Sequence, residues 1–181
     1  MAILIRLAGP ADAEAIAAIY RPYVEDSRIS FEENAPDAEE IARRMASPLH
    51  PWLIAEEGER ALGFASSSAF RSRRAYRWVA ESGIYLVPEA KGRGVGRALL
   101  SKLIELLERQ GFVAVIGAIA LPNEASVALH ESVGFVHTGT YRGVGFKLGE
   151  WLDVGLWQRD LAPRTSAPEE VLTVDALGPI S

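Results

Sequence analysis

Residues 91–107 read K-G-R-G-V-G-R-A-L-L-S-K-L-I-E-L-L, a glycine-rich loop that runs directly into a helical pattern. Glycine lets the backbone approach a ligand closely and adopt positive φ. The N-terminus of the following helix presents free N–H groups and a partial positive charge, which suit a pyrophosphate. Lys91, Arg93 and Arg97 add positive charge to the loop. The stretch predicts a strand–loop–helix unit that binds phosphate; the alternative is a solvated turn in which glycine serves only the turn geometry.

Two common nucleotide-binding motifs do not fit this loop. The P-loop pattern G-x-x-x-x-G-K-[ST] is absent from the chain. The dinucleotide pattern G-x-G-x-x-G fails because Arg97 stands where the third glycine belongs. The helix after the loop has a leucine-rich apolar face and is predicted to end at Gly111.

The segments on either side of the loop predict a mixed α/β domain. Helices are predicted to start at Asp12, Asp37 and Asn123, where a capping residue precedes a helical pattern. The predicted strands cover 3–7, 52–56, 61–69, 78–87 and 113–121, and a long hairpin covers 135–160. The order β-α-α-β-β-β-α-β-α-β-β indicates one domain over residues 1–162. Residues 163–181 contain three prolines and no clear periodicity, which predicts a tail that is ordered only where it docks.

Composition excludes several functional classes. The chain has 181 residues, 49% of them apolar and 24% charged, which is the average mix of a globular domain. The absence of cysteine excludes disulfide scaffolds, cysteine nucleophiles and thiolate metal sites, and three histidines argue against a multi-histidine metal site. A net charge of −5 argues against a nucleic-acid partner. With no apolar run of the roughly 18 residues that span a membrane, and no charged leader, we expect a cytoplasmic protein without a membrane partner.

Three polar features are candidates for chemistry. Glu81 lies in a weakly polar strand, where burial would raise its pKa and suit a general base; a solvent-facing carboxylate is the alternative. Asn123 and His130 are seven residues apart, on one face of a predicted helix. The alternative role of Asn123 is a helix cap, and that of His130 is a partly buried histidine whose hydrogen bonds are satisfied within the protein.

A cluster of arginines stands out in this acidic chain. Arg71, Arg73, Arg74 and Arg77 lie within seven residues, with Tyr76 among them. Guanidinium groups bind carboxylate and phosphinate-like groups through two parallel hydrogen bonds. The alternative is a solvated hairpin tip. The aromatic residues of the last hairpin, Phe146, Trp151 and Trp157, are expected in the core or at a subunit interface.

Together these motifs resemble the Gcn5-related N-acetyltransferases (GNAT), and within them the phosphinothricin and methionine sulfoximine/sulfone N-acetyltransferases. The resemblance covers about residues 3–161. The family loop Q/R-x-x-G-x-G/A corresponds to 91–96, and the strand A-Y-x-W-x-x-E-S-x-x-Y to 75–85. The helix N-x-x-S-x-x-L-H-E-x-x-G-F corresponds to 123–135, and the hairpin G-T-x-R-x-x-G-[FY]-K-x-G-x-W-x-D-V-G-x-W-Q-R-D to 139–160. Four motifs in the family's order make the resemblance specific.

The resemblance implies a fold, a co-substrate and a set of site residues. The fold is a mixed, mostly antiparallel sheet flanked by helices, and the co-substrate is acetyl-CoA, with no metal. Glu81 and His130 are the implied catalytic residues. The implied acetyl-CoA-binding residues are Leu86, Val87, Lys91, Gly92, Arg93, Gly94, Val95, Gly96, Arg97, Asn123 and Ser126, and the implied substrate-binding residues are Phe31, Arg71, Arg73, Tyr76 and Gly83. A homodimer formed through the C-terminal region is also implied.

The implied reaction is transfer of an acetyl group to the α-amino group of phosphinothricin (glufosinate) or methionine sulfoximine/sulfone. Glu81 would accept the amine proton, and backbone N–H groups near Leu86 would stabilise the oxyanion. His130 would either protonate the departing thiolate or support the substrate. Two residues depart from the family pattern: Lys91 replaces Gln or Arg, and Gly83 stands where the herbicide-resistance enzymes have threonine.

Two other functions are alternatives to this reaction. The first is acetylation of another amine, such as a polyamine or a protein N-terminus, which the four clustered arginines disfavour because like charges repel. The second is a non-catalytic acyl-CoA-binding module. The presence of both Glu81 and His130 argues against this alternative.

Overall fold

The computed structural model describes residues 2–164 and 167–178, so residues 165–166 and 179–181 of the predicted tail lie outside the described residues. Within this part of the chain, seven strands and four α-helices follow the predicted order. The strands are β1 (Ile3–Leu7), β2 (Trp52–Glu57), β3 (Arg60–Ala69), β4 (Val79–Leu86), β5 (Ala114–Leu121), β6 (Val136–Lys147) and β7 (Glu150–Asp160). The helices are α1 (Ala13–Glu25), α2 (Ala38–Met45), α3 (Val95–Gln110) and α4 (Glu124–Ser132). None of the helices in residues 2–164 and 167–178 is long and apolar enough to span a bilayer.

The strands form one sheet in the order β1-β2-β3-β4-β5-β7-β6. Every neighbouring pair is antiparallel except β4 and β5, which run parallel. The β4–β5 pairing extends only from Val79 opposite Ala114 to Ser82 opposite Gly117, although both strands continue beyond it. The two strands therefore splay apart in the middle of the sheet. The predicted fold class, a mostly antiparallel mixed sheet flanked by helices, is confirmed.

Each face of the sheet buries its own core. Successive strand residues point to opposite faces, so Leu53 and Ala65 pack with α3 whereas Ile54 and Phe64 pack with α1 and α2. The predicted leucine-rich face of α3 is fully buried in the first of these cores. The splay between β4 and β5 therefore opens between two helical layers.

The helix starts follow the sequence with one exception. Asp37 and Asn123 cap α2 and α4, because their side chains accept hydrogen bonds from backbone N–H groups in the first turn. Asp12 precedes α1 but does not cap it. Its carboxylate instead accepts the N–H of Gly9 at 2.8 Å and pairs with the guanidinium of Arg6 at 2.7 Å. The ion pair with Arg6 of β1, six residues earlier in the chain, thus takes the place of the expected cap.

Candidate active site

The predicted phosphate loop forms one wall of a cleft of about 310 Å³, which we call the glycine-loop cleft. Gly92 and Gly94 have φ of +75° and +81°, and a Cβ at either position would meet nothing within 4 Å. The backbone is thus open to a ligand there, at the N-terminus of the 16-residue helix α3. The cleft is lined by Tyr23, Ile29, Ile84, Leu86, Ala90, Lys91, Gly92, Gly94, Gly96, Arg97, Asn123, Ala125, Ser126 and Leu129. Unshielded helix N–H groups, two cationic side chains and apolar walls fit the pyrophosphate and pantetheine parts of acetyl-CoA.

Three residues implied for the co-substrate do not line this cleft. Val95 is buried in the core below the loop, and Val87 packs against both cores. The guanidinium of Arg93 is held at 2.8 Å by the carboxylate of Glu57 on β2.

The end of β4 supplies a backbone donor at the splay. The N–H of Val87 donates to the carbonyl of Leu62 on β3 at 2.9 Å. Backbone groups alternate sides along a strand, so the N–H and carbonyl of Leu86 face away from β3 and into the splay. The hydroxyl of Tyr23 donates to the carbonyl of Leu86 at 2.6 Å, so this carbonyl already has a partner. The N–H of Leu86 is then the backbone group that can donate to a ligand in the splay.

A second cavity, of about 430 Å³, lies on the α1–α2 face of the sheet, and we call it the Glu81 cavity. Its floor is formed by β3 and β4, with Ser68 opposite Glu81 and Ser66 opposite Gly83. The remaining lining residues are Tyr20, Glu32, Arg44, Ser47, His50, Trp52, Phe64, Ser67, Ala69, Ser82, Tyr85 and Ala118. Five of the lining residues are serines, so the cavity offers many hydroxyl groups to a polar ligand.

Glu81 is partly buried in this cavity. Burial raises the pKa of its carboxyl group, because a charged carboxylate is poorly solvated there, and the charge of Arg71 acts in the opposite direction. A carboxylate with a raised pKa holds a proton more readily near neutral pH, which is the property of a general base. Gly83 lies two residues further along the strand, where a Cβ would meet the Ser66 hydroxyl at 3.3 Å.

His130 lies on the opposite face of the sheet, on α4, and is 3% exposed. Its Nδ1 lies 2.8 Å from the carbonyl oxygen of Ser126, which can only accept, so Nδ1 carries a proton. Its Nε2 is buried without a hydrogen-bond partner in the described part of the chain. Burial lowers the pKa of the imidazole. In the neutral ring, Nε2 therefore carries a lone pair and accepts hydrogen bonds.

The ring of His130 lies against the backbone of Gly117, at the point where β4 and β5 separate. A Cβ on Gly117 would be 2.8 Å from Nε2. Residues 116 and 117 face opposite sides of the sheet, and Glu81 is in register with Ile116. Glu81 and His130 thus approach the splay from opposite faces.

A small cavity of about 50 Å³ lies in the splay between the two larger ones, and we call it the junction. It shares Ser82, Gly83, Tyr85 and Ala118 with the Glu81 cavity. It shares Ile29, Ile84, Asn123 and Ser126 with the glycine-loop cleft, and His130 lines its wall. The three spaces are therefore neighbours in a row across the sheet.

Most residues implied for substrate binding do not line the Glu81 cavity. Gly83 does, whereas Phe31 packs on Gly145, where a Cβ would overlap its ring. Tyr76 is exposed and lies edge-on to Phe70. Arg73 is exposed on the link between β3 and β4.

The four clustered arginines do not act as one group. Arg71 lies near the Glu81 cavity, since its charge acts on Glu81, and its guanidinium lies 3.4 Å from the hydroxyl of Tyr141. Arg74 and Arg77 instead pair with Glu170 of the C-terminal segment, at 3.8 and 2.7 Å. The cluster is thus divided between two surroundings, and binding of the substrate by Arg71 and Arg73 stays a prediction.

Sequence reasoning missed the polar residues that enclose the Glu81 cavity. The guanidinium of Arg44 binds the carboxylate of Glu32 at 2.7 and 3.0 Å and that of Glu40 at 2.7 Å. Arg44 also lowers the pKa of Glu32 through these bonds. The i, i+4 spacing of residues 40 and 44 is visible in the sequence, but the contact with residue 32 depends on the fold. Within residues 2–164 and 167–178, no three His, Asp or Glu side chains are grouped so as to hold a metal ion.

Comparison with known proteins gives similarity over nearly the whole chain. A profile of the acetyltransferase (GNAT) domain matches residues 5–156. The phosphinothricin N-acetyltransferase of Streptomyces viridochromogenes is 38% identical over 163 residues, 86% of each chain. The L-methionine sulfoximine/L-methionine sulfone acetyltransferase of Salmonella typhimurium is 36% identical over 87% of this chain and 94% of its own. The crystal structure of a phosphinothricin acetyltransferase from Sinorhizobium meliloti with AcCoA has a TM-score of 0.88 and 38% identity, and the match covers 95% of this chain and 96% of that one.

Proposed function

This chain belongs to the acetyltransferase (GNAT) family, and on that premise we propose that it transfers an acetyl group from acetyl-CoA to the α-amino group of a small amino-acid analogue. The observation that carries the proposal is the row of three neighbouring cavities. The row places a loop suited to phosphate, a backbone donor at the splay and a partly buried carboxylate next to one another. The resemblance noted in the four sequence motifs is confirmed by the family match.

In this proposal, Glu81 is the general base. The amine of an amino acid is mostly ammonium at neutral pH and becomes a nucleophile only after it loses a proton. Glu81 accepts that proton, directly or through a water molecule, and the raised pKa of its carboxyl group suits this task. Bound acetyl-CoA supplies the acetyl group as a thioester; as the C–N bond forms, the C–S bond breaks, and the CoA thiolate leaves and takes up a proton from water. The Leu86 N–H binds the carbonyl oxygen as negative charge develops on it.

We propose that His130 supports the site as a hydrogen-bond acceptor. Protonation of a thiolate would require a proton on Nε2. In the tautomer set by Ser126, the proton is on Nδ1, and burial lowers the pKa of the ring. Of the two roles open from the sequence, substrate support is therefore favoured, with Nε2 accepting from a donor in the junction.

The proposed acceptors are phosphinothricin and methionine sulfoximine or sulfone, because relatives at 38% and 36% identity are named for those substrates. An amino-acid end near Arg71 and a polar head against the serine hydroxyls would suit the Glu81 cavity. If phosphinothricin is a substrate, cells expressing the protein gain resistance to that herbicide. We further propose a cytoplasmic location, where acetyl-CoA is available.

We also propose a homodimer formed through β6 and β7. Trp151 and Phe146 are 69% and 60% exposed, and Val136, Tyr141 and Val144 on the same hairpin are exposed as well. An exposed apolar surface of this kind on an edge hairpin is typical of a subunit contact. Sedimentation at micromolar concentration should give a dimer for the wild type and a monomer for Trp151→Ser; a monomeric wild type would refute the proposal.

The test of the function is an assay of CoA release from acetyl-CoA with a panel of acceptors. The panel contains phosphinothricin, methionine sulfoximine, methionine sulfone, spermidine and a mixture of peptides. Turnover of the first three supports the proposal and ranks the acceptors. Turnover of spermidine or peptides alone would show that the acceptor is another amine and would overturn the proposed acceptors. Binding of acetyl-CoA without turnover of any amine would favour the non-catalytic acyl-CoA-binding module.

A further inference from the structure

The described part of the predicted tail is docked on the domain. The N–H of Leu172 donates to the carbonyl of Gln110 at 2.8 Å, and the N–H of Val174 donates to that of Pro48 at 2.8 Å. The side-chain amide of Gln110 donates to the carbonyls of Leu49 at 3.0 Å and Leu172 at 2.8 Å. We call residues 169–177 the C-terminal strap.

Gln110 is the anchor of the strap. It is the last residue of α3 and only 1% exposed, which is unusual for a glutamine. Val171 and Leu177 of the strap pack against the core on the α3 face, and Arg109 donates to the carbonyl of Leu177 at 2.9 Å. The bridge is made by the amide nitrogen alone, since Oε1 is buried without a hydrogen-bond partner in the described part of the chain. Loss of the nitrogen would leave the carbonyls of Leu49 and Leu172 without this donor, so the bridge favours one arrangement of both segments.

The strap holds one wall of the Glu81 cavity. Residues 46–51 connect α2 to β2, and Ser47 and His50 of this loop line the cavity. Pro48 and Leu49, which lie between them, provide the carbonyls that receive hydrogen bonds from Val174 and Gln110. The position of this wall therefore depends on the strap.

The strap also contacts the link between β3 and β4, although residues 71–77 of this link do not themselves line the Glu81 cavity. Glu170 pairs with Arg77 at 2.7 Å, and the indole N–H of Trp78 donates to the carbonyl of Glu169 at 2.7 Å. These contacts fasten the end of the link between β3 and β4. The same link carries Arg71, the cation that acts on Glu81.

We propose that the C-terminal strap and Gln110 position the acceptor-binding cavity without taking part in acetyl-CoA binding. Among residues 2–164 and 167–178, no hydrogen bond or ion pair joins the strap to the glycine-loop cleft. The strap is thus a positioning element that acts through the 46–51 loop and the 71–77 link. The inference rests on the proposed function, because it treats the Glu81 cavity as the place where the acceptor binds.

The test compares one truncated protein and three point variants with the wild type. Truncation after Ala162 removes the strap, Gln110→Leu removes only the bridging amide, and Glu170→Gln removes only the ion pair with the link. Arg164→Ala is the matched control, because Arg164 precedes the strap and pairs with Asp160 of β7. For each protein, the KM of the best acceptor, the Kd of acetyl-CoA and the thermal midpoint are measured. Hydrogen exchange is followed in peptides covering 46–53, 71–78 and 90–97.

Truncation and Gln110→Leu should each raise the acceptor KM about tenfold, the equivalent of one or two hydrogen bonds, and leave the acetyl-CoA Kd within about twofold. Exchange should quicken in 46–53 and 71–78 and stay unchanged in 90–97. Glu170→Gln should affect 71–78 alone, and Arg164→Ala neither segment. An unchanged acceptor KM, or a parallel loss of acetyl-CoA binding, would overturn the inference. If the wild type turns over no acceptor, the proposed function fails, and the exchange and acetyl-CoA results still decide the role of the strap.

Discussion

Substitution of Gly117 by alanine should displace His130 and slow the reaction. The new Cβ would lie 2.6 Å from Cδ2 of the imidazole. Carbon atoms pack at about 3.5 Å, so the ring has to move by about 0.9 Å or β5 has to shift. Such a movement stretches or breaks the 2.8 Å hydrogen bond from Nδ1 to Ser126.

Both stability and rate should respond to this displacement. Overpacking of a buried site costs about 1–3 kcal/mol of unfolding free energy. A catalytic group displaced by about 1 Å loses on the order of 10²-fold in rate, so kcat should fall by about that factor. The acetyl-CoA Kd should change little, because Gly117 does not line the glycine-loop cleft.

The assay is a double-mutant cycle with Gly117→Ala, His130→Ala and the double variant, each measured for kcat by CoA release. Once the ring is absent, the alanine at 117 has nothing to displace, so the double variant should be no slower than His130→Ala alone. The coupling between the two positions is then about 2.7 kcal/mol for a 10²-fold effect. An unchanged kcat in Gly117→Ala, or an equal loss in the presence and absence of His130, would refute the placement of His130 in the reaction site.

Three further perturbations test other parts of the structure. Lys147→Met should lower the unfolding free energy by about 1–3 kcal/mol, because its ammonium donates to the carbonyls of Val24, Ser30 and Glu32 at 2.5–2.8 Å; an unfolding free energy equal to that of the wild type in urea denaturation would contradict this. Arg71→Ala should shift the acid limb of the kcat/KM profile to higher pH, since the charge of Arg71 lowers the pKa of the Glu81 carboxyl and burial raises it; a shift to lower pH would be inconsistent with Glu81 as the base, and Arg74→Ala is the control. Gly63→Ala should lower the thermal midpoint by several degrees, because its Cβ would be 2.7 Å from the backbone oxygen of Tyr85, whereas Gly9→Ala, with nothing within 4 Å, should not.

The order of elements was predictable because glycine, proline and capping residues mark most of its boundaries. Asp37, Asn123 and Gly111 act locally, within one helical turn, so their effect can be seen in a short stretch of sequence. The failure of Asp12 as a cap shows the limit of this reasoning. Its carboxylate binds Arg6 of β1, an arrangement that exists only once strand and helix have met.

The candidate site residues could be predicted one motif at a time, but the spatial arrangement of the motifs could not. The glycine loop, Glu81 and His130 lie in separate motifs, and only the β4–β5 register places the last two on opposite sides of one splay. The enclosure of the Glu81 cavity by Arg44 and His50 depends on the packing of α2 and its following loop, which no local pattern encodes.

The charge cluster at 71–77 illustrates the same limit. Four neighbouring arginines indicate a single anion site when only local sequence is considered. The structure assigns Arg74 and Arg77 to a carboxylate about 90 residues away in sequence. That carboxylate, Glu170, belongs to a segment whose composition suggested a tail.

The most direct test of the central proposal is single-turnover acetyl transfer by Glu81→Gln, compared with the wild type and with Glu105→Gln, an exposed carboxylate on α3. Acetyl-CoA binding is measured for the same three proteins by calorimetry. With Glu81 as the base, Glu81→Gln should transfer the acetyl group about 10²–10⁴ times more slowly while binding acetyl-CoA normally, and Glu105→Gln should match the wild type. Transfer by Glu81→Gln at the wild-type rate, with the same dependence on pH, would contradict the proposed mechanism.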